Sequence, residues 1–172
     1  NRTTFRYHAT RWLETHVMRQ ADAVVVICQG LADEVATRGI STDKITVVPN
    51  AVDRKAFTGA GTRDPELEAR LGLRDRTVIG FFGSFYSYEG LHLLLQALPE
   101  IRSRYADATV LLVGGGPEEA RLHQLAAELD LGDAVVFVGR VPHDEIRRYY
   151  DLADMLAFPR LSMRLTDLVL CF

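Results

Sequence analysis

The sequence lacks the features of a disulfide-stapled or membrane-spanning protein. It has two cysteines in 172 residues, Cys28 and Cys171, and their placement fits neither a zinc-ligand spacing nor the framework of a small secreted domain. We expect both thiols to stay reduced. The longest apolar runs reach about half of the ~20 residues that span a bilayer, and no signal peptide opens the chain. These absences predict a cytoplasmic protein.

An excess of one charge is also missing. The chain has 20 basic and 23 acidic residues, a net charge of −3, with 48% hydrophobic residues, which is the composition of a globular domain rather than of a nucleic-acid binder. The five histidines have no metal-binding spacing, and the serines lack a nucleophile-elbow pattern. We therefore expect no metal and no nucleic-acid partner, and the catalytic residues stay unassigned.

The first residues predict an amphipathic helix over 3–20. Phe5, Trp12 and Val17 keep helical spacing, and arginines occupy mostly the other faces. A solvated surface helix is the favoured interpretation, while peripheral contact of its basic face with the inner side of a membrane is the alternative. The chain opens on Asn1 and ends on the apolar stretch "DLVLCF", and we expect it to be a fragment.

Strand-like and helix-like patterns alternate along the rest of the chain. The run "ADAVVVICQG" predicts a strand covered on both faces, followed by a helix over Gly30–Arg38, and "KITVVPNAVD" contains a second strand. A polar stretch rich in Gly and Thr follows, so we place a domain boundary between residues 52 and 53.

Four more apolar runs separated by helical patterns follow the short helix "PELEARLG". They predict strands at Thr77–Phe82, Thr109–Val113, Ala134–Val138 and Met155–Phe158. Because the strands are apolar throughout and alternate with helices, we predict a doubly wound α/β fold, with a Rossmann-like parallel sheet and flanking helices.

Ligands of such a sheet bind beyond the carboxyl ends of the strands. The loops expected there cover residues 83–89, 114–117, 139–143 and 159–164. In "VGGGPEE", glycines permit close approach of backbone to an anion at a helix N-terminus, although they also suit a tight turn alone. Arg160 and Arg164 follow a strand end, where two arginines could bind a diphosphate or simply be solvated.

Taken together, several segments resemble the retaining glycosyltransferases of family 4, which have the two-domain GT-B architecture. The resemblance is carried by "ADAVVVICQGLADEV", "KITVVPNAVDRKAF", "VIGFFGSF" with "EGLHLLLQAL", "TVLLVGGGPEEARLHQLAAELDL" and "VVFVGRVPHDEIRRYYDLADMLAFP". These segments stand in the family's order and cover most of the chain.

The resemblance implies a domain organisation and a donor site. Residues 1–52 would end the acceptor domain and cross between domains, and residues 53–172 would form the first part of an incomplete C-terminal, nucleotide-sugar-binding domain. The donor, a UDP- or GDP-sugar, would be a substrate rather than a cofactor, and the acceptor would be a glycan or lipid-linked. The implied donor-binding residues are Gly83, Ser84, Gly114, Gly115, Val141, Arg160 and Arg164.

Two departures from the family pattern stand out. Ser84 and Glu89 occupy positions where an arginine and a lysine usually hold the diphosphate, and a carboxylate there would repel it. We expect Arg160 and Arg164 to offset Glu89, as a feature of a branch linked to exosortase and exopolysaccharide loci. The family's pair of glutamates is represented only by Asp167, so this chain alone is not expected to catalyse transfer.

The sequence thus predicts a fragment of a retaining glycosyltransferase of polysaccharide biosynthesis. The alternative is a non-catalytic α/β nucleotide-binding or interaction domain from a truncated gene product. A dinucleotide-dependent oxidoreductase ranks last, because G-x-G-x-x-G does not follow the first strand.

Overall fold

A computed structural model describes residues 5–51, 61–163 and 166 of the chain. Arg164, Asp167 and Cys171 lie outside these residues. The helices are α1 Phe5–Gln20, α2 Gln29–Thr37, α3 Pro65–Arg70, α4 Leu91–Arg104, α5 Glu119–Glu128 and α6 Ile146–Tyr150. The strands are β1 Val24–Val26, β2 Ile45–Val47, β3 Thr77–Ser84, β4 Ala108–Gly115, β5 Val135–Gly139 and β6 Met155–Leu156.

The described residues group into two compact units. The first comprises residues 5–51 with Met163 and Thr166, and the second comprises residues 61–162. In the described part of the chain no helix combines the length and apolarity that a membrane crossing requires.

The first unit contains a parallel pair of strands, β1 and β2. Val26 is buried in a small cluster with Ala32 and Val35 of α2. The sequence predicted that β1 is covered on both faces. For the described residues that prediction is wrong, because Val25 is 65% exposed. Since successive strand residues point to opposite faces, α2 covers the Val26 side and leaves the Val25 side open.

Helix α1 forms as its spacing predicts, but of its large apolar side chains Met18 packs against the buried cluster of the unit while Phe5, Trp12, Leu13 and Val17 are exposed. Phe5 is 87% exposed and Trp12 is 68% exposed, and no residue of the helix is buried in the described structure. An ion pair of 3.0 Å between Glu14 and Arg38 links α1 to the end of α2. The helix is therefore attached to its unit mainly by polar contacts.

The second unit is built on a four-stranded, wholly parallel sheet. The strand order is β5-β4-β3-β6, and β3 pairs with β4 in one continuous register from Thr77↔Ala108 to Ser84↔Gly115. This confirms the predicted parallel α/β fold, and each of the four predicted strands is present. Parallel order brings all the carboxyl ends to one edge, where β3 ends in Gly83 and Ser84 and β4 ends in Gly114 and Gly115.

Helices cover both faces of this sheet. Alternate residues of β4 enter different cores, with Val110 and Leu112 in one cluster and Leu111 and Val113 in the other. The first cluster includes leucines of α4 and α5, and the second includes residues of α3 and α6. Burial on both sides is why the strands read as continuous apolar runs without alternation.

Helix α3 begins with a capped and charged turn. The carboxylate of Asp64 accepts hydrogen bonds from the backbone N–H groups of Glu66 and Leu67 at 3.0 and 3.1 Å, and from Arg148 of α6. These bonds, led by the one from Leu67, lower the pKa of Asp64. The cap therefore also links α3 to α6.

The loop after β6 packs against the turn that precedes α4. Leu161 donates a backbone hydrogen bond of 2.9 Å to the Tyr88 carbonyl. Gly90, at a φ of +72°, lies so close that an added Cβ would stand 2.0 Å from the Pro159 carbonyl oxygen. Only glycine accommodates both the left-handed conformation and this contact, so Gly90 sets where the loop lies.

We expect Leu95→Ala to lower the free energy of unfolding by about 2–5 kcal/mol, because it leaves a cavity in the core. Leu95 is a residue of α4, and its side chain is fully buried in the cluster that α4 forms with the sheet. Leu93, on the same helix, is 43% exposed, and Leu93→Ala should cost less than about 1 kcal/mol. Urea denaturation of both variants measures the difference, and equal losses would contradict the described packing of α4.

Gly90→Ala and Gly72→Ala form a second matched pair. Gly72 has a nearly identical φ of +68°, but nothing lies within 4 Å of an added Cβ. In both variants alanine must adopt the left-handed conformation, which lowers the free energy of unfolding by about 1–2 kcal/mol. Gly90→Ala should lower it by roughly 2 kcal/mol more, because its Cβ also collides with the Pro159 carbonyl. Denaturation curves that coincide would mean that the loop after β6 does not pack at Gly90.

Candidate functional site

An open cleft of about 270 Å³ lies at the carboxyl edge of the four-stranded sheet. The ends of β3 and β4, the residues that follow β5 and the first residue of α6 line it. These lining residues are Gly83, Ser84, Val113, Gly114, Gly115, Arg140, Val141 and Ile146. The cleft thus occupies the edge of the sheet at which doubly wound folds bind their ligands.

The floor of the cleft is bare backbone. Gly114 has a φ of +140°, and a Cβ on it would stand 1.8 Å from the Gly83 carbonyl oxygen. A side chain at Gly114 would have to displace backbone of the neighbouring strand. Glycine here therefore permits the close approach of β3 and β4 and leaves the main chain accessible to a ligand.

Backbone hydrogen bonds join the two loops beside the cleft. Phe85 donates to the Gly115 carbonyl at 3.1 Å, and Glu118 donates to the Phe85 carbonyl at 3.1 Å. Phe85 itself is buried, so its side chain anchors the crossing point in the core. The chain after β3 and the chain before α5 consequently hold one another in place.

Arg140 provides the positive charge in the cleft. Its side chain passes beside Gly115, where an added Cβ would stand 3.4 Å from the arginine Nε and 3.0 Å from Glu119 Oε2. Arg140 is exposed, and it forms no ion pair within residues 5–51, 61–163 and 166. A guanidinium in this setting can bind an anion that enters the cleft.

Glu89 and Arg160 form an ion pair on the β6 side of β3. Arg160 Nε donates to Glu89 Oε2 at 2.8 Å, and Arg160 Nη2 donates to Oε1 at 3.4 Å. The Glu89 side chain is 10% exposed, whereas that of Arg160 is 38% exposed. The glutamate side chain is therefore nearly buried, while the arginine side chain is partly exposed.

The structure brings together five of the seven donor residues named from the sequence, Gly83, Ser84, Gly114, Gly115 and Val141. Arg160 lies outside this cleft, on the other side of β3, and Arg164 is outside the described residues. Sequence reasoning missed Arg140 and Ile146. Arg140 directly follows β5 and precedes Val141, so its position at a strand end was the available signal.

The acidic residues at the starts of α5 and α6 do not cap these helices with side-chain hydrogen bonds. Glu118 stands at the N-cap position of α5 without such a bond and pairs instead with Arg121 at 3.2 Å. Glu145 precedes α6, also without a side-chain cap. In the described part of the chain no three His, Cys, Asp or Glu residues gather in a way that could hold a metal ion.

Known proteins resemble both parts of the chain. The family described as Glycosyl transferases group 1 matches residues 64–162, and Glycosyltransferase Family 4 matches residues 2–56. A GDP-mannose-dependent alpha-(1-6)-phosphatidylinositol monomannoside mannosyltransferase of Mycolicibacterium smegmatis is 29% identical over 81% of this chain and 36% of its own length. The 2-deoxystreptamine glucosyltransferase of Streptomyces kanamyceticus is 32% identical over 89% of this chain and 40% of its own length.

A solved structure gives the same fold. The crystal structure of Anabaena HepE in complex with UDP-glucose matches with a TM-score of 0.74 and 22% identity, over 93% of this chain and 45% of that chain. The present chain thus spans less than half the length of these proteins. Because the first of the two family matches covers more than half of the chain and the fold is that of GT-B enzymes, the chain belongs to the glycosyl transferases group 1 family, of GT-B type.

Proposed function

We propose that this chain is part of a retaining glycosyltransferase that transfers a sugar from a nucleotide-sugar donor to a glycan or lipid-linked acceptor. The observation that carries the proposal is the cleft of Gly83, Gly114 and Arg140, which lies within the residues matched by the family. Bare backbone and one guanidinium suit a diphosphate, whose charge must be stabilised as it leaves.

The relatives support a nucleotide-sugar donor. One is named as GDP-mannose-dependent, and HepE was crystallised with UDP-glucose. We propose a UDP- or GDP-sugar as the donor here. The base would lie toward Val141, the diphosphate beside Gly83 and Ser84, and the sugar toward the loop that contains Arg160.

We propose two domains. Residues 1–52 would end an acceptor-binding domain, and residues 53–172 would form the first part of a donor-binding domain, although Met163 and Thr166 group with the first compact unit. Building a bacterial surface polysaccharide or exopolysaccharide is the role that we propose for the whole protein. The relative that acts on a phosphatidylinositol mannoside supports a lipid-linked acceptor as one form of the substrate.

Calorimetric titration of the folded chain with UDP, GDP and ADP tests the donor site. We expect saturable binding of UDP or GDP, because the cleft lies wholly within residues 83–146. A cooperative thermal transition must first establish that the protein is folded. No binding of any of the three by folded protein would contradict the proposal.

Arg140→Ala should weaken binding of the nucleoside diphosphate by roughly tenfold, the usual effect of one charge-assisted hydrogen bond. Uridine or guanosine, which lack phosphate, should bind both forms about equally. Arg104→Ala is the matched control, because Arg104 is an exposed arginine at the C-terminal end of α4 and does not line the cleft. Equal diphosphate affinity of wild type and Arg140→Ala would exclude Arg140 from the phosphate site.

A further inference from the structure

Glu89 stands in the loop that follows β3, where a carboxylate would repel a diphosphate if it were presented to it. Instead, both of its oxygens accept hydrogen bonds from Arg160, at 2.8 and 3.4 Å. The pair is side-on, so it fixes the plane of the guanidinium as well as its distance. Glu89 therefore orients Arg160 through contacts made along one edge of the guanidinium.

The other edge of Arg160 remains available. Its Nη1 has no hydrogen-bond partner in the part of the chain that the structure describes. The arginine side chain is 38% exposed, against 10% for the glutamate. The positive partner is thus the more exposed member of the pair, and its Nη1 is not used by Glu89.

The main chain on both sides of the pair is also held. Leu161 donates to the Tyr88 carbonyl, one residue away from each partner, and Gly90 lies against the Pro159 carbonyl. The ion pair therefore joins two loops that already touch, rather than two mobile side chains. Fixing an arginine in this way reduces the conformational entropy that it loses when it binds an anion.

The location of the pair relates it to the cleft. β3 lies between β4 and β6 in the sheet, so the cleft lies on one side of the end of β3 and the pair on the other. The loop from Gly83 to Gly90 connects the two. A donor whose base lies in the cleft toward Val141 would extend its distal phosphate, rather than its base, toward Arg160.

We infer that Glu89 is a positioning residue that holds Arg160 to bind the distal phosphate of the donor. This inference rests on the proposed donor site and goes further, because it reverses the effect on diphosphate binding that is expected of Glu89. If Glu89 only repelled the diphosphate, removing its charge would strengthen binding. If it positions Arg160, removing its charge weakens binding.

The test is calorimetry on the folded chain with UDP and UMP, and with GDP and GMP, for wild type, Glu89→Gln, Arg160→Gln and the double variant. We expect each single variant to weaken binding of the diphosphate roughly five- to tenfold. The double variant should be no weaker than Arg160→Gln alone, because Glu89 acts through Arg160. Monophosphate affinity should change less than about twofold.

A conservative variant separates positioning from charge alone. Arg160→Lys keeps the positive charge but cannot form the two-point contact with Glu89, so we expect its diphosphate affinity to lie below that of wild type. The melting temperature of each variant is measured beside its affinity. Glu100→Gln and Arg104→Gln, which break an exposed pair on α4, are controls that should leave both quantities unchanged.

Each outcome decides the inference. Wild-type binding with unchanged or tighter diphosphate binding by Glu89→Gln would overturn it and leave the proposed donor site intact. Diphosphate affinity of Arg160→Lys equal to that of wild type would show that the oriented guanidinium is not needed and would also overturn it. No nucleotide binding by folded wild-type protein would remove the donor site and the inference together.

Discussion

Bare backbone at the ends of β3 and β4 is the constraint on which the candidate site depends. Gly114 can be only glycine, because a Cβ would collide with the Gly83 carbonyl oxygen. β3 and β4 therefore stay paired in one register up to their last residues, Ser84 and Gly115. The loops that continue from this edge are joined to each other by the backbone hydrogen bonds of Phe85.

The positively charged side chains at this edge do not come from the loop that follows β3. The usual family pattern places two cations after β3, whereas this chain has Ser84 and Glu89. The structure puts Arg140 in the cleft and pairs Glu89 with Arg160 beyond it. Positive groups thus come from the loops after β5 and β6, and the acid in the first loop is paired with an arginine.

The central strands β3 and β4 could be predicted from the sequence because they are buried on both faces. Continuous apolar runs then mark each strand directly, as at Val110 to Val113, and the helices between them require parallel order. The same reasoning failed for Val25, since an apolar run does not reveal which side a neighbouring element covers. In the first unit, α2 packs on the Val26 side alone.

The glycines at the ends of β3 and β4 could be named from the sequence, but the pattern left open whether they serve a ligand or only a tight turn. The ion pair between Glu89 and Arg160 could not be predicted as a contact, since it joins residues 71 positions apart through the pairing of β3 with β6. Arg140 was overlooked for a related reason. Its role depends on the direction of its side chain across Gly115, which no local pattern encodes.

The central claim is that the glycine-lined edge of the four-stranded sheet holds the nucleotide. The most direct measurement is a ¹⁵N-resolved NMR titration of the folded chain with UDP and with GDP, following backbone amides. The account predicts that one nucleotide shifts the amides of Gly83, Ser84, Gly114, Gly115 and Val141, and leaves those of α1 and α2 unchanged. Saturable shifts confined to other residues, or no shifts at all, would contradict it.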